Sequence, residues 1–158
     1  MGLDMYLNKQ TYIGAHHSHR NVNVKLIIEK DGKQVNLGIE NSKIESITEE
    51  CIYWRKANMI HKWFVNTVQD GEDNCGSYSV SIEQLEELHK LCSKIINDES
   101  KPEEYLPVQE GFFFGDTHYD EYYFDTIKYT YEELTKIISN HLLVRGVRTI
   151  SYSYSSSW

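Results

Sequence analysis

Apolar and polar positions along this chain follow two periods, one near 2 and one near 3.6. Leu3 to Ile13 predicts a first strand, and Gly14 to Asn21, which carries His16, His17, His19 and Arg20, predicts a polar loop. Val22, Val24, Leu26 and Ile28 alternate with polar residues, and Val35, Leu37 and Ile39 do so again after Asp31-Gly32. An Asp-Gly pair between two alternating segments predicts a hairpin, because both turn positions need positive φ. Ser46 and Glu49 have capping-box spacing, and no Gly or Pro follows until Gly71, so one long helix is expected from Ser46 to Asp70-Gly71. Residues 72–77 read as a polar loop and Tyr78, Ser79 and Val80 as a brief strand. Ser81 with Gln84 opens a second helix, whose stripe is Ile82, Leu85, Leu88, Cys92 and Ile95. A charged loop over 97–104 precedes Gly111-Phe112-Phe113-Phe114-Gly115, expected as a buried strand. Tyr119 to Thr126 predicts a short helical turn, and Thr130 with Glu133 a third helix with Leu134, Ile137, Ile138 and Leu142 inward. Ile150, Tyr152 and Tyr154 alternate with serines as a closing strand. The expected fold is α+β: one domain over 1–158, a mainly antiparallel sheet with about three helices on one face.

Composition removes several function classes. With 2 Pro and 9 Gly in 158 residues, a disordered or collagen-like chain is excluded. A net charge of −8 disfavours nucleic acid and anionic membranes as partners, since both require a basic face. No apolar run approaches the ~18 residues of a membrane span, and the first residues lack the pattern of a secretory signal. Cys51, Cys75 and Cys92 are odd in number and widely spaced, which fits reduced thiols rather than a disulfide framework or a zinc site. Asp70 to Gly76 is rich in oxygen ligands but lacks EF-hand spacing, and the three histidines of the first loop read as solvated, so no metal is expected. Without a P-loop or GxGxxG, no cofactor is expected either.

Aromatic residues are the unusual feature: 12 Tyr, 5 Phe and 3 Trp, many in clusters. If Tyr53 to Val65 is helical, Trp54 at 0° shares its stripe with Asn58 near about 40° and His61 near about 340°, with Arg55 and Lys62 on the flank. Two polar groups inside an apolar stripe must have partners, because each costs about 1–3 kcal/mol if left unpaired. They either bond to backbone groups beneath the helix or open onto a pocket. Trp63 falls on the outer face, where an oligomer contact is the expected use. The segment 111–124 packs seven aromatics around Asp116, Asp120 and Glu121. Such a segment suits either a core or a stacking surface with acidic acceptors, as a flat heterocycle with a ribose would need. Cys75 lacks any local motif that would pair it with His61 as a nucleophile.

The segments MGLDMYL, YWRKANMIHKWFV, DGEDNCGSY and GFFFGDTHYDEYYF resemble a family of small proteins encoded by bacteriophages and prophages. The resemblance covers nearly the whole chain and implies a setting, the cytoplasm of an infected bacterium, rather than a chemistry. In type, small acidic aromatic-rich phage proteins are similar to the sponges that sequester nucleotide immune signals. The resulting expectation is a non-catalytic, homo-oligomeric binding protein for a nucleotide-derived small molecule. Arg55 and Lys62 would meet phosphate, Asn58 and His61 would orient the ligand, Tyr119, Tyr122 or Trp54 would stack on the base, and Asp120 would accept from ribose. The alternatives are an inhibitor that docks its acidic aromatic surface on a host protein, and a phosphodiester hydrolase using His61 as acid or base.

Overall fold

A computed structural model of the chain describes residues 2–14, 26–144 and 149–158. The strands are β1 (Asp4–Tyr12), β2 (Glu29–Lys30), β3 (Lys33–Gln34), β4 (Ser46–Arg55), β5 (Ser77–Val80) and β6 (Thr149–Ser157). The helices are α1 (Asn58–Thr67), α2 (Ile82–Asn97) and α3 (Glu121–Val144). Four strands form an antiparallel sheet in the order β4-β1-β6-β5, so the architecture is the expected α+β.

Period-2 alternation decides which face of that sheet is dry. Met5 and Leu7 of β1, Ile52 and Trp54 of β4, and Tyr152 and Tyr154 of β6 are buried on the helix side. From α1, Phe64 lies flat on Tyr154, ring centroids 3.9 Å apart and 6° from parallel. From α3, Thr130 Oγ1 accepts a 2.9 Å bond from the Trp54 indole N–H. Helix α2 packs on α3, and its Gln84 side chain donates to the Thr67 carbonyl at the end of α1. On the opposite face β6 presents Ser151, Ser153 and Ser155, with Ser77 and Ser79 of β5 beside them.

Several expectations hold. The capping box of α2 is complete, with Ser81 Oγ accepting from the Gln84 N–H and the Gln84 side chain accepting from the Ser81 N–H. Leu85, Leu88, Cys92 and Ile95 are buried as the stripe predicts. Asp31 and Gly32 have φ of 54° and 73°, the geometry their hairpin turn demands. That hairpin is only β2 and β3, apart from the main sheet; residues 22–25 lie outside the described residues, and Leu37 and Ile39 are exposed.

Other elements differ. The long helix expected from Ser46 is instead a strand, a corner and a shorter helix. Ile52 and Trp54 are buried while Tyr53 and Arg55 are exposed, a period-2 signature that a helical wheel hides. The corner is Lys56, at φ 55°, whose N–H bonds to the Leu3 carbonyl at 2.7 Å. A lysine in the left-handed region leaves no breaker in the sequence. Ser46 is therefore no helix cap, and its Oγ accepts from the Gln10 side chain across the sheet.

The Phe-rich segment is likewise a turn and not a buried strand: Phe114 N–H bonds to the Gly111 carbonyl, and Phe112 is 96% exposed. A strand needs a ladder, and the segment's bond to the sheet end is that from the Leu3 N–H to the Phe113 carbonyl. The third helix does not start at Thr130. It starts at Glu121, absorbs the turn expected at 119–126, and buries Thr130 in mid-helix, where its hydroxyl bonds back to the Thr126 carbonyl. Leu134 and Ile137 face inward as expected, whereas Leu142 is exposed. Trp63, placed on the outer face by the wheel, is buried, because α1 is covered on more than one side.

Candidate functional site

A groove of about 240 Å³ runs between the end of β4 and the start of α3. Strand β4 contributes Tyr53 and Arg55, helix α3 contributes Tyr122, Asp125 and Tyr129, and buried Trp54 and Ala57 lie beneath. Residues 122, 125, 126 and 129 share one helix face, and 53 and 55 share one strand face, so two regular elements hold the groove. The tyrosines are 39%, 51% and 42% exposed, which leaves ring surface open to a partner. Two of the hydroxyls are fixed: Tyr53 donates to Asp4 and Tyr122 to the Arg55 carbonyl. The hydrogen bond to Asp4 holds the Tyr53 phenol above its ordinary pKa, and burial does the same for Tyr129.

Arg55 lines the groove, and the next residue, Lys56, shares a neighbour with it. A Cβ built on Gly2 would lie 3.2 Å from Lys56 Cε and 3.9 Å from Arg55 Nε, so both side chains pass over that glycine. Among the described residues neither Arg55 nor Lys56 enters an ion pair. On a chain of net charge −8 these two basic groups stand near two carboxylates, Asp4 across the sheet from Arg55 and Asp125 in the groove wall.

The structure gathers Trp54, Arg55 and Tyr122 from the sequence-predicted set, although Trp54 and Arg55 reach the groove from a strand and not from the first helix. Asn58 is buried elsewhere and fully engaged with the loop before α3. Its amide donates to the carbonyls of Phe114 (3.1 Å) and Asp116 (2.8 Å), and its oxygen accepts from the Gln109 N–H (3.0 Å). His61 has no exposed surface: Nδ1 lies 2.7 Å from the Tyr154 hydroxyl and Nε2 2.9 Å from Asp73 Oδ2. The neutral tautomer satisfies the whole row, with Nε2–H donating to Asp73 and Nδ1 accepting from Tyr154. The Trp158 indole closes the row by donating to the other oxygen of Asp73 at 3.0 Å. With both nitrogens engaged, His61 has none left to act as acid or base on an outside substrate or to activate Cys75.

Lys62 donates to the Val108 carbonyl, the Tyr119 hydroxyl accepts weakly from the Val108 N–H at 3.4 Å, and Asp120 Oδ1 accepts from the Tyr123 N–H at the start of α3. Those three residues thus fix the 105–120 connection. Sequence reasoning missed Tyr53, Lys56, Asp125 and Tyr129. The i, i+3, i+7 spacing of Tyr122, Asp125 and Tyr129 was the available signal, concealed once α3 was cut at Thr130.

The three cysteines are free, Cys51 half-buried, Cys75 exposed and Cys92 buried. Among the described residues no cluster of three or more His, Cys, Asp or Glu forms that would hold a metal ion, and no helix is long and apolar enough to cross a membrane. His16, His17 and His19 lie outside the described residues. Comparison of the chain with protein-family models, curated proteins and solved structures finds no match.

Proposed function

We propose that this is a non-catalytic binding protein that sequesters a nucleotide-derived small molecule in the β4–α3 groove, in the setting the phage resemblance implies. The observation that carries the reading is Arg55, without an ion pair among the described residues, lining a groove with three half-exposed tyrosine rings, with Lys56 meeting it over Gly2. Phosphate meets the two cations, the guanidinium in bidentate fashion. A base stacks on Tyr122 or Tyr129, worth about 1–3 kcal/mol per ring. Asp125 accepts from a ribose hydroxyl or an exocyclic amine. A volume of about 240 Å³ is below that of sites enclosing drug-sized ligands, so the groove grips one nucleotide unit and leaves the rest of a larger signal in solvent.

Isothermal titration with AMP, adenosine and a cyclic dinucleotide tests this. Both phosphorylated ligands should bind and adenosine should bind far more weakly. Arg55→Ala should weaken AMP by about tenfold or more, since a charge-assisted bond contributes about 1.5–3 kcal/mol. Arg55 is exposed and, among the described residues, its side chain makes no hydrogen bond or ion pair, so the variant should melt like the parent. Equal affinity for adenosine and AMP, or an unchanged Arg55→Ala, overturns the proposal.

One observation favours the host-protein reading. Phe112 stands 96% exposed at the tip of its turn, braced edge-on against Phe113 at 4.9 Å, as an anchor for a partner's pocket would be. Phe112→Ser should abolish capture of a host protein and leave AMP binding intact if that reading holds; equal capture by parent and variant removes it.

A further inference from the structure

A second cavity, of about 460 Å³, lies between β4 and the C-terminal half of α3, within the size range of sites that enclose small organic ligands. It opens where β1 and β4 lose register: Leu7 pairs with Ile52 and Asn8 with Glu50, so Cys51 has no residue opposite it. A bulge of this kind re-aims the side chains around it. Here it brings Glu49, Glu50 and Cys51 in succession onto the cavity wall.

The lining sorts by chemistry. Ile137, Leu143 and Ile150 form an apolar part. Two ion pairs, Lys9 with Glu49 and Lys136 with Glu133, are closed on themselves. His141 is engaged with the Tyr152 hydroxyl at 3.2 Å. Glu50 and Asn140 remain, and among the described residues neither side chain makes a hydrogen bond or ion pair. Among the described lining residues three carboxylates face two ammonium groups, an excess of one negative charge.

We propose that this cavity is a second ligand site and that it takes a small organic amine, its ammonium on Glu50 and the Asn140 carbonyl oxygen and its apolar body on Ile137, Leu143 and Ile150. An anion is repelled by the unbalanced carboxylate. A neutral apolar molecule desolvates Glu50 without replacing its water bonds. A bare metal ion makes no use of the apolar part. The site is independent of the nucleotide groove, with which it shares no lining residue.

Cys51 is a built-in reporter because its thiol lies in the wall. In the Cys75→Ser protein, with Cys92 buried, the rate of Cys51 reaction with a disulfide reagent reads occupancy. n-Hexylamine should slow that reaction by about fivefold or more, a difference of about 1 kcal/mol, while n-hexanol and hexanoate leave it nearly unchanged. Glu50 is exposed on a strand, so Glu50→Gln keeps the fold, and in it the protection by hexylamine should vanish. Absence of protection by hexylamine, equal protection by hexanol, or protection retained in Glu50→Gln overturns the proposal.

Discussion

Asn58 does for the 109–116 connection what a strand partner would do for a strand. One amide engages two carbonyls and one N–H, all drawn from a segment with no ladder of its own. Asn58→Ala leaves those groups without partners and should lower stability by about 2–3 kcal/mol, read as a shifted urea midpoint. Lys56 raises a different issue, one of backbone. At φ 55° a β-branched side chain is strongly disfavoured, whereas glycine is at ease. Lys56→Val should therefore cost more than about 1 kcal/mol, and Lys56→Gly should melt at or above the parent temperature. Equal melting of the two variants would show that the corner is not set by φ. Both residues also mark what a sequence can reveal. That Asn58 and His61 need partners was legible from their place in an apolar stripe. Who the partners are was not, since Phe114, Asp116, Asp73 and Tyr154 arrive from distant parts of the chain.

Elements were legible wherever their ends carry their own chemistry. Helix α2 begins at a reciprocal Ser81–Gln84 box, and both of its bonds form. Ser81→Ala should cost about 1 kcal/mol and Ser81→Asp much less, measured by thermal or urea unfolding. Helix α3 carries two such signals, one true and one false. Asp120 caps its real start, while Thr130 and Glu133 imitate a start in the interior. Spacing alone cannot separate the two, because Thr130 serves tertiary contact: it bonds back to Thr126 and receives the indole of Trp54. Thr130→Val strands a buried indole N–H and should cost about 1–3 kcal/mol. Its tryptophan emission should shift, which a change confined to the helix backbone would not cause. β4 was misread for the complementary reason. Its ten residues contain no glycine or proline, and the corner that ends it is a lysine.

At the scale of the molecule, alkali should be the weak side. Burial raises the Cys92 thiol from 9.0 to about 12 and the Tyr152 phenol from 10.0 to about 12, and it pushes Tyr123 and Tyr154 upward as well. An unfolded chain gives up these protons near pH 9 and 10, while the folded chain keeps them to about pH 12. Between those limits the unfolded state binds fewer protons, so the stability these groups contribute is complete below pH 9 and declines as pH rises through the window. The urea midpoint should fall between pH 9 and 11, and Cys92→Ala should flatten the decline at its lower end while costing about 1 kcal/mol at pH 7. An identical slope in parent and variant would remove Cys92 from the account.

The order of strands has a consequence for how the chain is made. β6 sits between β1 and β5 although it is the last of the three to leave a ribosome. Until residues 149–157 emerge, a nascent chain has of the four-stranded sheet the β1–β4 pair alone, and β5 has no neighbour to dock on. Translation that stops short of that point yields an open sheet with exposed edges, a natural substrate for chaperones and proteases.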